Sequence, residues 1–161
     1  MMHIKETCCF TGHRSIPAGL DKFLGERSSA GIEYLYKQGI KNFLVGGALG
    51  FDTIAAHSVI KQRESHSDIQ LIVVAPCQDQ DKYWVQKDKD IYTKIKKDAD
   101  EVITLSENYY QGCMQDRNRY LVDNSIACIC YLTQISGGTA YTVSYAKSKG
   151  LTVYNLARRK A

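Results

Sequence analysis

Two glycine-containing segments each join an apolar run to the start of a helical pattern. The first is GGALGFD at residues 46–52, and the second is SGGTAYTVSYA at residues 136–146. Glycine permits positive φ angles and lets a ligand approach the backbone closely. A helix N-terminus adds unpaired N–H donors and about half a positive charge. Each segment is therefore a candidate anion site, and the alternative for each is a tight turn between a strand and a helix.

A third segment, TGHR at residues 11–14, places polar side chains after the first apolar run. Together with the double glycines it favours a ligand that carries phosphate. The chain has no GxxxxGK[ST] motif, and GGALGF is not GxGxxG, which argues against an ordinary kinase or a nicotinamide dehydrogenase. The candidate ligand-binding residues are Thr11, Gly12, His13, Arg14, Gly46, Gly47, Gly50, Asp52, Arg117, Gly137, Gly138 and Thr139.

Three of these side chains have more than one interpretation. Asp52 is expected to cap the second helix, and otherwise it accepts a hydrogen bond from a ribose hydroxyl. His13 is expected to be a hydrogen-bonding loop residue rather than a catalytic base. Arg117 shares a helix face with Leu121. Because a buried unpaired charge is costly, Arg117 either pairs with a carboxylate such as Asp52 or Asp123, or binds a ligand phosphate through its planar fork.

Two aromatic pairs also have a structural and a functional interpretation. Tyr83 and Trp84 are either core residues or a wall on which a ring stacks. Tyr109 and Tyr110 precede the helix of Arg117, where they pack in their loop or cover a base ring.

The elements that position these residues alternate between short apolar runs and longer stretches of helical period. The pattern predicts strands over residues 7–11, 42–46, 69–75, 101–104, 127–132 and 152–156. It predicts helices over residues 18–38, 52–63, 81–97, 112–125 and 139–149. Gly39 and Gly150 fall where helices end and are expected to be C-terminal caps.

This alternation predicts one α/β domain over residues 1–161, with a Rossmann-like, mainly parallel sheet of about six strands and helices on both faces. Strands such as LIVVA at residues 71–75 are apolar throughout, as in sheets covered on both sides. Ligands of such folds bind at the carboxyl ends of the strands, near a topological switch point. The three candidate segments all follow predicted strands.

Composition narrows the class of protein. The chain has 161 residues, of which 44% are hydrophobic and 24% charged, with a net charge of +4. Its positive residues are interleaved with acids except in ARRK near the end, which argues against nucleic acid as the partner. No apolar run reaches the ~20 residues of a membrane helix, and the first residues lack the apolar core of a signal peptide. We therefore expect a cytoplasmic protein.

The six cysteines are expected to be structural thiols. Cys8, Cys128 and Cys130 lie in apolar strand-like runs, where thiols behave as small hydrophobes. No CxxC pair occurs, so neither disulfides nor a metal site are predicted.

The segments TGHR, GGALGFD, RNRYLVDNS and SGGTAYTVSYA, in this order and at these spacings, resemble the YpsA-like family of the SLOG superfamily. The superfamily also contains the lonely-guy phosphoribohydrolases and the Rossmann domain of DNA-processing protein A. The resemblance runs from Thr11 to Asn155 and implies a bacterial protein whose glycine loops bind a nucleotide or a nucleotide derivative, as a sensor or regulator. It is also compatible with a homo-oligomer, since relatives self-associate.

The lonely-guy enzymes carry PGGxGTxxE and an upstream arginine, and the resemblance places that arginine at Arg117. The glycine motif departs here, with Ala140 at the third glycine, Tyr141 at the threonine and Ser144 at the glutamate. A serine cannot shuttle a proton near neutral pH as a carboxylate does. The sequence thus favours a binding protein over an enzyme.

Two other functions stay open. The first is a nucleoside-phosphate N-glycosidase that uses Asp52 or Asp116 as its acid, with Arg117 as the best catalytic candidate. The second is a module that binds single-stranded nucleic acid, although a concentrated basic stripe is missing from the sequence.

Overall fold

The computed structural model describes residues 3–157, so Met1, Met2 and most of the basic ARRK cluster lie outside the described residues. After a 3-10 turn at Ile4–Glu6, strands and helices alternate along the chain. The strands are β1 (Thr7–Gly12), β2 (Asn42–Val45), β3 (Gln70–Ala75), β4 (Glu101–Thr104), β5 (Ala127–Tyr131) and β6 (Thr152–Asn155). The helices are α1 (Asp21–Lys37), α2 (Phe51–Ser65), α3 (Gln86–Asp98), α4 (Cys113–Asp123) and α5 (Gly138–Ser148).

The six strands form one parallel sheet in the order β4-β3-β2-β1-β5-β6. The chain steps outward from β1 to β4, and α4 then carries it back to β5 on the other side of β1. The direction of the crossovers therefore reverses between β1 and β5, which is the topological switch point. The predicted Rossmann-like α/β fold is confirmed.

Helices cover both faces of the sheet, and alternate residues of each strand point to opposite faces. Phe10 of β1 packs in the cluster that contains residues of α1, α2 and α3. Its neighbour Cys9 packs in the second cluster, with Leu121 of α4 and Val143 of α5. Residues of β1 are consequently buried from both sides, which explains the continuous apolar pattern of the central strands.

The predicted boundaries agree within three residues except at α3, which begins at Gln86 rather than at residue 81. Residues 78–84 form turns instead, with the Trp84 amide donating to the Asp81 carbonyl at 3.0 Å. The side chain of Gln80 anchors this segment by donating to the Gly46 carbonyl at 3.2 Å. That contact across the sheet edge overrides the local helical pattern.

Gly39 and Gly150 have φ angles of 99° and 85°, as the prediction of C-terminal caps requires. At the end of α1, the Gly39 amide donates to Tyr36 at 2.9 Å and the Ile40 amide to Leu35 at 3.1 Å. This pair of bonds is the Schellman pattern, which satisfies carbonyls that the helix leaves open.

All six cysteines are free and buried, and they serve as core residues. Between residues 3 and 157 no three His, Cys, Asp or Glu side chains are grouped as a metal site would need. No helix of this part of the chain has the length and apolarity to cross a membrane.

The loops that follow β1 and β2 interlock through two glycines. A Cβ atom on Gly12 would lie 2.5 Å from the ring of Phe51, and one on Gly50 would collide with the carbonyl oxygen of Arg14. Gly50 also has a φ of 79°, and the Phe51 amide donates to the His13 carbonyl at 3.1 Å. The two loops therefore pack backbone against backbone, which only glycine permits here.

Substitution of Gly50 is expected to cost more stability than substitution of another glycine with positive φ. Gly150→Ala is the control, because Gly150 has no atom within 4 Å of an added Cβ. It should cost about 1–2 kcal/mol, the usual cost of a left-handed conformation. Gly50→Ala should cost about 1–3 kcal/mol more because of the collision. Urea unfolding measures both, and equal losses would contradict the interlock.

Candidate ligand-binding site

A cavity of about 230 Å³, here named the strand-end cavity, lies beside the switch point at the carboxyl edge of the sheet. Seven predicted residues line it, namely Thr11, Gly12, Arg14, Asp52, Arg117, Gly138 and Thr139. The other five, His13, Gly46, Gly47, Gly50 and Gly137, do not line it, and Gly47 and Gly50 line a second cavity instead. Phe10, Ala48, Gln80, Met114 and Asn118 complete the wall, and the sequence analysis did not single them out.

The turn at Gly137 and Gly138 is open toward solvent. Gly137 has a φ of 103° and is the N-cap of α5, and no side chain caps the helix. A Cβ atom on either glycine would meet no atom within 4 Å. The Tyr141 amide bonds the Gly137 carbonyl at 3.0 Å, so the amides of residues 138–140 have no partner within the helix. Gly138 and Thr139 line the cavity, so their amides lie beside it.

The turn at Gly46 and Gly47 is filled by the protein itself. A Cβ atom on Gly46 would lie 2.6 Å from Nη1 of Arg117, and one on Gly47 would lie 2.7 Å from the ring of Tyr92. Position 47 also has a φ of 72°, a conformation that favours glycine. Each double glycine was predicted to be either an anion site or a tight turn, and these contacts favour the tight turn at Gly46 and Gly47. Gly46 and Gly47 admit side chains, and only Gly137 and Gly138 stay open.

Arg117 is 4% exposed and is held by backbone carbonyls rather than by a carboxylate. Its Nη1 donates to the carbonyl of Gly46 and, at 3.3 Å, to that of Val74. Burial lowers the pKa of the guanidinium, and the nearby charge of Asp52 opposes that shift. No ion pair within 4.0 Å joins Arg117 to any carboxylate of residues 3–157. Asp123, the other partner considered, accepts instead from Tyr145 at 2.7 Å.

Asp52 is the second residue of α2, and its carboxylate accepts from the Ala48 amide at 3.2 Å. The expectation that Asp52 caps α2 is wrong, because Gly50 occupies the N-cap and the carboxylate turns back to the loop. The side chain is 7% exposed. Burial raises the pKa of Asp52 to about 6, against the opposing effects of Arg117, the Ala48 amide and Arg14.

Arg14 is exposed at the cavity and has no ion pair among the described residues. Asp116, by contrast, does not line the cavity. Its carboxylate accepts from Arg119 and, at 2.6 Å, from the hydroxyl of Tyr110. These two bonds lower the pKa of Asp116. Of the two acids named for the enzyme hypothesis, only Asp52 lies at the cavity.

His13 ties the loop after β1 to the loop after β5. Its Nε2 accepts from the Thr133 amide at 2.9 Å, and its ring meets Tyr131 edge-on at 5.5 Å. Because Nε2 accepts this hydrogen bond, it carries no proton and the ring is neutral. Burial lowers the pKa of His13, which also favours the neutral ring. This agrees with the expected role of a hydrogen-bonding loop residue.

Gln80 and Asn118 are polar wall residues that sequence reasoning missed. Gln80 donates to the Tyr92 hydroxyl at 2.8 Å, while its Oε1 is buried without a hydrogen-bond partner in the described chain. Asn118 accepts from Arg117 Nε at 2.9 Å, which leaves its amide donors unused by that bond. The available signal was position, since Gln80 follows β3 and Asn118 is adjacent to Arg117.

The remaining predicted residues lie away from the strand-end cavity. Tyr83 and Tyr109 are exposed, and Tyr110 is bonded to Asp116. Trp84 packs against Tyr92 with ring centroids 5.3 Å apart. Ser144, at the position of the lonely-guy glutamate, is exposed on α5 and does not line the cavity.

A family model confirms the resemblance found in the sequence. The YpsA model, described as the YspA SLOG family, matches residues 8–157. The chain belongs to this family. The matched residues run from the second residue of β1 to beyond the end of β6, and they include every residue that lines the strand-end cavity.

Individual relatives match at lower coverage. The uncharacterized SPbeta prophage-derived protein YoqJ of Bacillus subtilis is 31% identical over 127 residues, which are 71% of this chain and 74% of YoqJ. The UPF0398 protein BH1768 of Halalkalibacterium halodurans is 33% identical over 118 residues. That match covers 71% of this chain and 62% of BH1768, so the chain spans less than two thirds of that relative.

A solved structure shares the fold. DNA processing protein A from Helicobacter pylori, a protein described for its single-stranded DNA binding mode, superposes with a TM-score of 0.69. The match covers 95% of this chain and 66% of that protein at 18% identity. At this identity the likeness shows the fold alone.

Asp52→Asn is expected to change how stability depends on pH. The folded pKa of about 6 lies above the ordinary 3.8, so the folded chain holds more protons than the unfolded chain between these values. Stability of the native chain should therefore fall as pH rises through this window, by up to about 3 kcal/mol from this group. The Asp52→Asn variant has no carboxyl group at this position, so it should not show this loss of stability. Urea unfolding at pH 4 and pH 7 should show Asp52→Asn gaining relative to the native chain, and parallel losses would contradict the shift.

Proposed function

We propose that this protein binds a nucleotide or a nucleotide-derived ligand at the strand-end cavity, as a sensor or regulatory protein of the bacterial cytoplasm. One observation carries the proposal. The uncapped N-terminus of α5 at Gly138 and Thr139 lines the same cavity as Arg117, a buried cation without an ion-pair partner in the described chain. Backbone donors, the Thr139 hydroxyl and a guanidinium together suit a phosphate.

The acceptors of the cavity support a ligand that also carries hydroxyl groups. Asp52 and Gln80 line the wall, and the Oε1 of Gln80 has no hydrogen-bond partner within residues 3–157. Carbonyl and carboxylate oxygens beside an anion are favourable only if the ligand donates to them. A ribose offers such hydroxyls, which supports a ribonucleotide over inorganic phosphate.

The family and the fold support the same class of ligand. Membership of the SLOG family is consistent with nucleotide recognition, and the structural neighbour from Helicobacter pylori is described as binding single-stranded DNA. A nucleotide is the unit common to both. Because Arg14, Asp52 and Arg117 converge on one small cavity rather than along a stripe, we favour a small ligand over a strand.

Gly138→Ala is expected to weaken binding without weakening the fold. An added Cβ at Gly138 meets nothing within 4 Å, so the methyl group occupies only the open space where a phosphate would approach. The native chain should respond in a thermal-shift panel of nucleotides and ribose phosphates, by about 2.7 kcal/mol at ~100 times the dissociation constant. Gly138→Ala should bind at least about tenfold more weakly, about 1.4 kcal/mol.

Gly25→Ala is the matched control, since Gly25 is a helical glycine of α1 with the same open surroundings and no place in the cavity. It should bind as the native chain does. A folded native chain that responds to no member of the panel would refute the proposal. If oligo(dT) binds instead, with an affinity that falls steeply as salt rises, the function is strand binding as in the structural neighbour.

A second candidate function is hydrolysis of the N-glycosidic bond of a nucleoside phosphate. The observation that favours it is the carboxyl of Asp52, which lies in the cavity with Arg117 and has a pKa of about 6. A carboxylic acid with a raised pKa can protonate a leaving base near neutral pH. The exposed Ser144 gives no such group.

The enzyme hypothesis predicts release of free base from nucleoside monophosphates, at a rate that falls as pH rises above about 6. Asp52→Asn should abolish release while nucleotide still binds. Chromatography of long incubations at high protein concentration measures the base. Absence of release from the native chain, with binding intact, would leave the protein as a binder.

A further inference from the structure

We propose that a second cavity beside the first holds the heteroaromatic ring of the ligand, which rests on the proposed function that the strand-end cavity holds its phosphate and sugar. This second cavity, here named the aromatic cavity, has a volume of about 370 Å³. It lies among the loop after β1, the loop after β2, and helices α2 and α3. Its apolar walls come from Ile16, Leu49, Ile54, Trp84, Ile91 and Ile95.

The two cavities are immediate neighbours. Arg14 lines both of them. The turn after β2 separates them, because Ala48 lines the strand-end cavity while Leu49 lines the aromatic cavity. Beneath that turn, Gln80 of the first cavity donates to the Tyr92 hydroxyl of the second at 2.8 Å. One ligand that extends past Arg14 would therefore occupy both cavities.

The aromatic cavity suits a flat ring. Trp84 is half-buried and packs on Tyr92 at a centroid distance of 5.3 Å and an interplanar angle of 56°. This contact fixes the indole with aliphatic side chains around it. Aromatic rings pair favourably with one another beyond the area they bury. A base inserted here would contact Trp84 and displace water from Ile54 and Ile91.

Two carboxylates select the kind of ring. Asp21 and Asp88 line the aromatic cavity, and neither side chain has an ion pair or hydrogen bond to another described residue. Ionised carboxylates only accept hydrogen bonds. The exocyclic amino group of adenine offers them two N–H donors, whereas uracil offers one ring N–H between two carbonyl oxygens, which carboxylates repel. We therefore expect AMP to bind more tightly than UMP.

Trp84 is the only tryptophan of the chain, so its fluorescence reports on the aromatic cavity alone. Titration with AMP should quench the emission with the dissociation constant that calorimetry gives. Ribose 5-phosphate should bind by calorimetry without quenching, because it has no ring. In Trp84→Phe the AMP signal should disappear while AMP still binds.

Asp88→Asn tests the carboxylate, with Asp90→Asn as its control. Asp90 is an exposed acid on the same helix, and it does not line the cavity. Its carboxylate accepts a hydrogen bond from Gln86 at 2.7 Å. Asp88→Asn should weaken AMP about tenfold, the effect of losing a hydrogen bond to a charged group, and leave ribose 5-phosphate unchanged. Asp90→Asn should leave both unchanged.

The outcomes separate this inference from the proposed function. If AMP and ribose 5-phosphate both bind, but the emission stays constant and Asp88→Asn behaves like Asp90→Asn, the ring lies elsewhere and only the inference is overturned. If neither compound nor UMP binds the folded native chain, the proposed function fails and the inference fails with it.

Discussion

The structure around the site depends on the burial of one cation. Arg117 enters from α4, fills the space that glycine leaves at position 46, and donates to carbonyls at the ends of β2 and β3. Desolvating a guanidinium costs several kcal/mol unless its donors are satisfied. The hydrogen bonds to carbonyls offset part of that cost. The charge of Asp52, which lies beyond ion-pair distance, offsets a further part of it. Arg14 and Arg117 line the cavity with two positive charges against the single carboxylate of Asp52, and this excess of positive charge is what the proposed anion would neutralise.

The glycines of the site do three different physical jobs. Gly12 and Gly50 let two loops interlock, Gly46 makes room for Arg117, and Gly138 leaves open space. The same residue type thus allows close packing of two loops, burial of the Arg117 guanidinium, and open space at the N-terminus of α5. A motif that counts glycines cannot separate these roles, because the difference lies in what approaches each Cα from elsewhere in the fold.

The sequence was sufficient for the fold because its signals are local and repeated. Apolar runs, helical periods and the caps at Gly39 and Gly150 predicted the elements, and their alternation predicted the parallel sheet. The start of α3 was missed because Gln80 anchors its flanking segment to a distant strand end.

The candidate site was predicted in outline, since all its segments follow strands, and parallel strands end at one edge. Its chemistry was less accessible. Asp52 has the sequence position of a capping residue, yet its carboxylate bonds the loop and becomes buried beside Arg117. The burial of Asp52 and its raised pKa arise because three loops meet in the fold, and a short sequence pattern cannot predict that. The partner of Gly46 could not be predicted for the same reason.

The contact between Gly12 and Phe51 has a consequence for how this family can diverge. The two side-chain positions share one space, since a Cβ on residue 12 would lie 2.5 Å from the Phe51 ring. The Cβ atom of Phe51 itself also lies 2.5 Å from that point, so a smaller side chain at position 51 would not relieve the collision. Natural relatives should therefore keep glycine at position 12, while the size of the side chain at position 51 varies.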